Sequence, residues 1–459
     1  MTSPAERVGL AIEAGLAGLG PRFELKGRVR RVIGETVAVS GCPLGLGERC
    51  RIDIGAKHVD AEVIGLADGE ILVQPLADIR GLSVGALVEP VRHTVEPCLD
   101  HVLGRVMTGL LEPVDGGPEI PVSRRDQGIP ESINPLIRAP ITEQFDLGIR
   151  AINALMSVGV GQRIGLFAGS GVGKSVLLGM IGRYAKADVV VVGLIGERGR
   201  EVREFIEENL GVGLRNSVVV ASPADDSPVL RIRAAFAATR IAERFRAEGK
   251  RVLLMMDSLT RVAQAQREVG LAAGEPPTTK GYTPSVFRLL PRLVERAGNL
   301  SRGEGSITAV YTVLTEEDDL QEPVADAARA ILDGHIVLNR GLAEAGVYPA
   351  IDVSSSISRV MSRVVDAEQE TSARLFKQLW SRYREQEDLI NVGAYQAGSD
   401  PLTDQAIAMQ PQLRAFVSQG MGEVVSREQS AAALRALMAA PDRTSNRHVK
   451  SPETVHGQT

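Results

Sequence analysis

The chain has 459 residues, of which 44% are hydrophobic, 24% charged and only 3% aromatic, and its net charge is −5. That composition excludes a disordered chain and gives no basic field for nucleic acid. The longest aliphatic run, Val189 to Ile195 broken by Gly193, falls far short of the ~20 residues of a bilayer-spanning helix. Cys42, Cys50 and Cys98 form neither a disulfide framework nor a metal-ligand spacing, and no secretory leader stands out, so a reducing, cytoplasmic setting is expected.

A chain of this length suggests about three domains. Residues 1–21 contain Val8, Ile12, Leu16 and Leu19 at helical spacing, which predicts a short amphipathic segment. Such a helix is marginal alone in water and could pack on its own protein or on a partner. Residues 22–95 predict a small β-barrel: Arg51–Ile54 and His58–Val63 alternate with period two, and Asp68-Gly69 reads as a hairpin turn. Barrels of this kind often bind single-stranded nucleic acid on aromatic platforms, but this stretch has one aromatic, Phe23, so a structural or assembly role is expected.

Residues 96–370 read as one α/β domain. It is entered through Gly- and Pro-rich irregular chain at 96–140. Arg163–Phe167, Val189–Ile195, Arg251–Met256, Ile307–Val313 and His335–Leu338 are near-continuous apolar runs with helical stretches between most of them, the pattern of a parallel sheet covered by helices. Residues 371–440 predict a helical domain, with helices at Arg374–Arg384, Pro401–Ser418 and Arg427–Met438. The polar tail 441–459 reads as disordered.

The strand Arg163–Phe167 runs into Ala168-Gly169-Ser170-Gly171-Val172-Gly173-Lys174-Ser175 and then into a helix. This is the P-loop pattern with alanine for the first glycine. Glycines let backbone N–H groups turn inward around phosphate oxygens, and the helix N-terminus adds its dipole. Lys174 would reach the β- and γ-phosphates, and the Ser175 hydroxyl would ligate magnesium. Hydrolysis further needs a group acting on the attacking water and a second hold on magnesium, both at the carboxyl ends of neighbouring strands. Asp257 follows the run Arg251–Met256 and is the candidate magnesium-site carboxylate. Glu197 and Glu201, after Val189–Ile195, are both open as the water-directed acid.

Together with the P-loop, Gly196-Glu197-Arg198-Gly199-Arg200-Glu201-Val202 and Asp257-Ser258-Leu259-Thr260-Arg261 resemble the catalytic subunits of rotary-type ATPases. The likeness is closest to the type III secretion ATPases, in the flagellar export branch. Further matching stretches include Pro284-Ser285-Val286-Phe287, Leu293–Gly298, Ala328–Leu338, Tyr348–Asp352 and Ser354–Val360. Departures from the branch pattern fall at Thr108, Leu111, Val262, Gln264 and Thr278-Thr279-Lys280, away from the phosphate chemistry.

The resemblance implies a magnesium-dependent, protein-transporting ATPase with a P-loop core of RecA-like type. It makes Glu197 the acid that polarises water, in preference to Glu201. It puts Arg198 near the γ-phosphate, Tyr348 on adenine, and Arg359 in the role of an arginine finger reaching a neighbouring subunit's nucleotide. A homohexameric ring is therefore implied. So are docking of the N-terminal segment on an export stator protein, engagement of chaperone–cargo complexes and the membrane export gate by the C-terminal helices, and a peripheral place at the cytoplasmic face of the inner membrane. No direct nucleic-acid partner is expected. The alternatives are a virulence-type injectisome ATPase, a rotary ATP synthase catalytic subunit and a Rho-like RNA translocase; scarce aromatics in 22–95 count against the last.

Overall fold

The computed structural model describes residues 25–67, 69–91, 96–98, 101–123, 134–301, 304–315 and 321–439. The amphipathic segment and the polar tail expected from the sequence lie outside them. The chain divides into two compact units at residues 94 and 95.

The first unit is a closed six-stranded barrel. Its strands are β1 (Gly27–Ile33), β2 (Thr36–Ser40), β3 (Arg49–Ile54), β4 (Lys57–Ala67), β5 (Glu70–Pro75) and β6 (Leu87–Pro90), paired in the order β1-β2-β5-β4-β3-β6. Alternation puts Val29, Val37, Val39, Cys50, Ile52, Ala61, Val63, Val73 and Val88 inside. β3 and β4 pair from Arg49↔Glu62 to Ile54↔Lys57, turning through Gly55 at φ +62. β4 and β5 close with Ala67↔Glu70 beside Gly69 at φ +74, at the hairpin the sequence predicts. Burial pushes the Cys50 thiol up to about 12, with Cys42 and Asp60 adding to the shift, so this sulfur behaves as a small core side chain.

The second unit is built on a sheet of nine strands. Eight of them are β7 (Val106–Met107), β8 (Arg163–Ala168), β9 (Val189–Ile195), β10 (Ser217–Ser222), β11 (Arg251–Asp257), β12 (Ser306–Leu314), β13 (Gly334–Leu338) and β14 (Ile351–Ser358). They lie in the order β14-β13-β8-β12-β11-β9-β10-β7, and the short Gly298–Asn299 strand pairs with β12. All five strands expected from apolar runs are present and run parallel to one another. Three others carried weaker signals: β7 is two residues long, β10 is a valine run bounded by serines, and β14 is serine-rich. β14 is antiparallel to β13, so the sheet has an antiparallel edge.

Every residue of β9 and β10 is buried, because helices cover both faces. On one face pack α3 (Pro228–Ala247), α4 (Leu259–Ala272), α5 (Pro284–Val294) and α6 (Pro323–Ile331). On the other pack α1 (Arg150–Leu155) and α2 (Lys174–Tyr184). The same apolar cluster continues into α7 (Ala367–Asn391), α8 (Pro401–Val417) and α9 (Arg427–Ala439), through Phe376, Leu379, Trp380, Leu413, Phe416 and Leu434. α7 begins seven residues before the expected Arg374. Asp366 caps it by accepting from Gln369 N at 2.8 Å, and Glu368 and Glu370 sit in its first turn, where the helix dipole favours acids.

Phe376 is fully buried, with Trp380 at 6.1 Å and Phe416 at 5.3 Å between ring centroids. Phe376→Ala should destabilise the second unit by about 3–5 kcal/mol. Denaturant unfolding followed by the fluorescence of Trp380, the chain's one tryptophan, measures this; a loss below 1 kcal/mol would contradict the packing described.

Candidate functional site

The carboxyl ends of β8, β9 and β11 meet at one edge of the sheet. β8 delivers the loop Ala168–Ser175, in which Gly171 and Gly173 have φ +78 and +86, values L side chains rarely adopt. Gly173 N-caps α2 with no side-chain hydrogen bond to the helix. The first-turn N–H groups are therefore open to an anion along the helix dipole. Ser175 lies exposed in that first turn.

Lys174 opens α2 and points its ammonium across the edge. Nζ donates to Asp257 Oδ1 at 2.6 Å and to Glu197 Oε1 at 3.4 Å. Asp257 ends β11, and Glu197 stands two residues beyond β9. The three side chains are only 12%, 5% and 15% exposed for Lys174, Asp257 and Glu197. Burial opposes the charge on Lys174, but the two carboxylates outweigh it and hold its pKa above the usual lysine value. Burial raises the Glu197 pKa; Lys174 offsets part of this, while Asp257 and the hydrogen-bonding neighbour Glu201 add to it.

Thr312 belongs to the same cluster and was missed in the sequence. It is fully buried on β12, between β8 and β11, and its Oγ1 lies 2.6 Å from Asp257 Oδ1 and 3.3 Å from Met256 O. Two threonines, Thr308 and Thr312, interrupt the apolar run Ile307–Val313; that was the available signal, since a buried hydroxyl needs a partner, but it does not by itself single out Thr312.

The other expected residues fall in two places. Tyr348 lies at the cradle edge: two of its ring carbons are 3.4 Å from where a Cβ would stand on Gly173. The tyrosine is 47% exposed, leaving ring surface open. Arg198 and Glu201 are outside the buried cluster and pair with each other at 3.0 Å, the Arg198 side chain being 77% exposed.

Arg359 is at the opposite edge. It follows β14, whose Ser358 pairs with Gly334 at the start of β13, while Ile351 pairs with Leu338 at its end. The loop of its own chain is thus at least about 13 Å away along the strands. The guanidinium donates to Leu332 O and Arg329 O, each at 3.1 Å.

Family models match the chain in three stretches. These are the ATP synthase alpha/beta family beta-barrel domain over residues 29–92, the nucleotide-binding domain of that family over 148–358, and the T3SS EscN ATPase C-terminal domain over 365–436. The flagellum-specific ATP synthase of Pseudomonas aeruginosa is 56% identical over 90% of this chain and 93% of its own. That of Salmonella typhimurium is 53% identical over 90% and 94%. The chain belongs to the flagellum-specific ATP synthase family. Among solved structures, the assembled ATPase EscN of the enteropathogenic E. coli type III secretion system superposes with a TM-score of 0.83. It is 42% identical and covers 90% of this chain and 100% of its own. The chain is thus a flagellar export ATPase, an ATP-hydrolysing enzyme built on a nucleotide-binding fold shared with type III secretion ATPases.

The raised Glu197 pKa has a consequence for stability. A carboxyl that holds its proton more tightly when folded costs nothing where both states are protonated, destabilises the fold increasingly as pH rises from the unfolded value to the folded one, and keeps that full cost above it. Glu197→Gln should therefore melt at or above the wild-type temperature at pH 8 without nucleotide, with the difference shrinking toward pH 5. Thermal unfolding across that range tests it; a mutant that melts lower at pH 8 would overturn this electrostatic account.

Proposed function

We propose that ATP is bound and hydrolysed at the cluster of Lys174, Glu197 and Asp257. The observation that carries this is the convergence of all three, from three separate segments, on the edge that also carries the phosphate-binding loop. The backbone of Ala168–Ser175 cradles the phosphates, with Gly169, Ser170, Gly171, Val172 and Gly173 supplying the loop. Lys174 moves from its carboxylate partners to the β- and γ-phosphates. That transfer takes a cation from two carboxylates and adds a polyanion, which calls for a further positive charge.

Asp257 and Ser175 fit Mg2+ as that charge. Both offer oxygen to a hard cation, and magnesium is commonly held by one or two carboxylates plus substrate phosphates. Among the described residues no group of three or more His, Cys, Asp and Glu could hold a metal alone; the phosphates complete the set. The ion would neutralise charge on the transferred phosphoryl group. Glu197, mostly buried, accepts a hydrogen bond from the attacking water and orients it in line with the γ-phosphorus; burial raises its pKa, which strengthens it as a proton acceptor. Arg198, exposed one residue on, is free to turn toward the γ-phosphate. Tyr348 stacks on adenine.

Arg359 completes a neighbouring subunit's site. Its position at the edge of the sheet away from its own loop supports action in trans, and a finger of this kind is worth about 10³–10⁵ in rate. The working unit is a ring of identical subunits, a homohexamer, which assists export of flagellar proteins through a membrane gate. EscN, which has been solved assembled and also with its central stalk EscO, supports that reading. The N-terminal segment docks on a stator protein, the C-terminal helices engage chaperone–cargo complexes, and the ring sits peripherally at the cytoplasmic face of the inner membrane. No helix among the described residues is long and apolar enough to cross a membrane.

Two inactive variants test the trans arrangement together. Lys174→Ala should lose nucleotide binding, and Arg359→Ala should bind but turn over about 10³-fold slower. Mixed, they should regain activity, because rings then contain an intact site beside an intact finger. A mixture no more active than its parts would refute the trans assignment.

A further inference from the structure

We propose that Thr312 is a positioning residue for hydrolysis, whose hydroxyl holds the Asp257 carboxylate in place when Lys174 leaves it for the phosphates. The proposal rests on the reading of Asp257 as a metal-side carboxylate.

Among the described residues, the side-chain hydrogen bonds on that carboxylate fall on one oxygen, Oδ1: Thr312 Oγ1 at 2.6 Å and Lys174 Nζ at 2.6 Å. The two partners differ in mobility. Lys174 is a long, flexible side chain whose proposed task takes it elsewhere. Thr312 is fully buried in β12, the strand between β8 and β11. There Leu166↔Thr312 and Met256↔Tyr311 are in register on its two sides. A β-branched side chain on a central strand has little rotameric freedom. The distance is that of a charge-assisted O–H···O⁻ bond, whereas Met256 O, at 3.3 Å, is the weaker alternative acceptor. Once the ammonium has moved, the Thr312 hydroxyl is the remaining side-chain constraint on Oδ1. The other oxygen then stays directed to the cation, and Asp257 does not have to be reordered in each cycle. Groups that hold a metal-binding carboxylate this way typically change metal affinity or activity about 10- to 100-fold when removed.

Thr312→Val removes the hydroxyl, nearly keeps the shape and retains strand propensity; Thr312→Ser restores the hydroxyl. The test titrates full-length protein with a fluorescent ADP analogue in EDTA and at graded Mg2+, and follows Mn2+ binding in the presence of ADP by electron paramagnetic resonance. In Thr312→Val, metal-free nucleotide affinity should match wild type, while the Mg2+ or Mn2+ concentration at half-saturation should rise about 10- to 100-fold. Thr312→Ser should recover most of that loss. A role in strand packing alone would lower the melting temperature and weaken nucleotide binding equally with and without metal. That pattern, or a Mg2+ dependence unchanged from wild type, would overturn the proposal. Thr312→Ala serves the same comparison if the valine variant does not fold. Asp257→Asn separates the two readings. If it abolishes the metal-dependent increment while Thr312→Val does not, Thr312 alone is misassigned. If it too leaves the increment intact, Asp257 is not metal-side and both readings fall.

Discussion

The constraint on which the site depends is the neutralisation of one buried ammonium by two buried carboxylates. Burial opposes the charge on Lys174, and Asp257 and Glu197 together outweigh that opposition; the ammonium in turn offsets part of the cost of burying Glu197. Removing Asp257, the close partner at 2.6 Å, is the costly loss, because the ammonium is then left poorly compensated in a low-dielectric place; Glu197, at 3.4 Å and with its own pKa raised by burial, is lost more cheaply. In the proposed function the same arrangement serves binding: a triphosphate competes for the ammonium with charge it carries itself. On that proposal the resting ion cluster and the binding site are one set of groups in two states.

The sheet makes this cluster possible by strand order. β8, β11 and β9 run parallel, so their carboxyl ends lie at one edge, with β12 inserted between β8 and β11. β12 adds no charge there. It sets the spacing across which Lys174 reaches Asp257, and it brings Thr312 beneath the carboxylate. β14, running the other way, separates two residues with proposed roles that are only eleven positions apart in the chain. Tyr348, before the strand, is left at the cradle edge, and Arg359, after it, is carried to the far edge. A parallel strand in that place would bring both to the wrong ends.

The core ties the helical end to the same chemistry. α7, α8 and α9 share an apolar cluster with α1 and α2, and Gln419 donates its backbone N–H to Tyr348 O at 2.8 Å. The phosphate-loop helix, Tyr348 and the C-terminal helices are therefore parts of one packed body. The barrel has its own closed core and its own register.

Much of this was legible in the chain because local physics suffices for it. The loop Ala168–Ser175 can be read as a phosphate cradle from its glycines, its lysine and the strand and helix around it. Asp257 can be read from the apolar run before it. The five buried strands announce themselves because strands covered on both faces need apolar side chains throughout. Glu197 stood level with Glu201 until the family resemblance separated them, and burial beside Lys174 marks the same residue. The tertiary structure alone decided β14, the edge on which Arg359 lies, and the contact of Thr312 with Asp257. Each depends on pairing between residues far apart in sequence, where no periodicity is expressed. A serine-rich strand is held by its neighbour's backbone, and a threonine acquires a role only when the fold sets a carboxylate 2.6 Å from its hydroxyl.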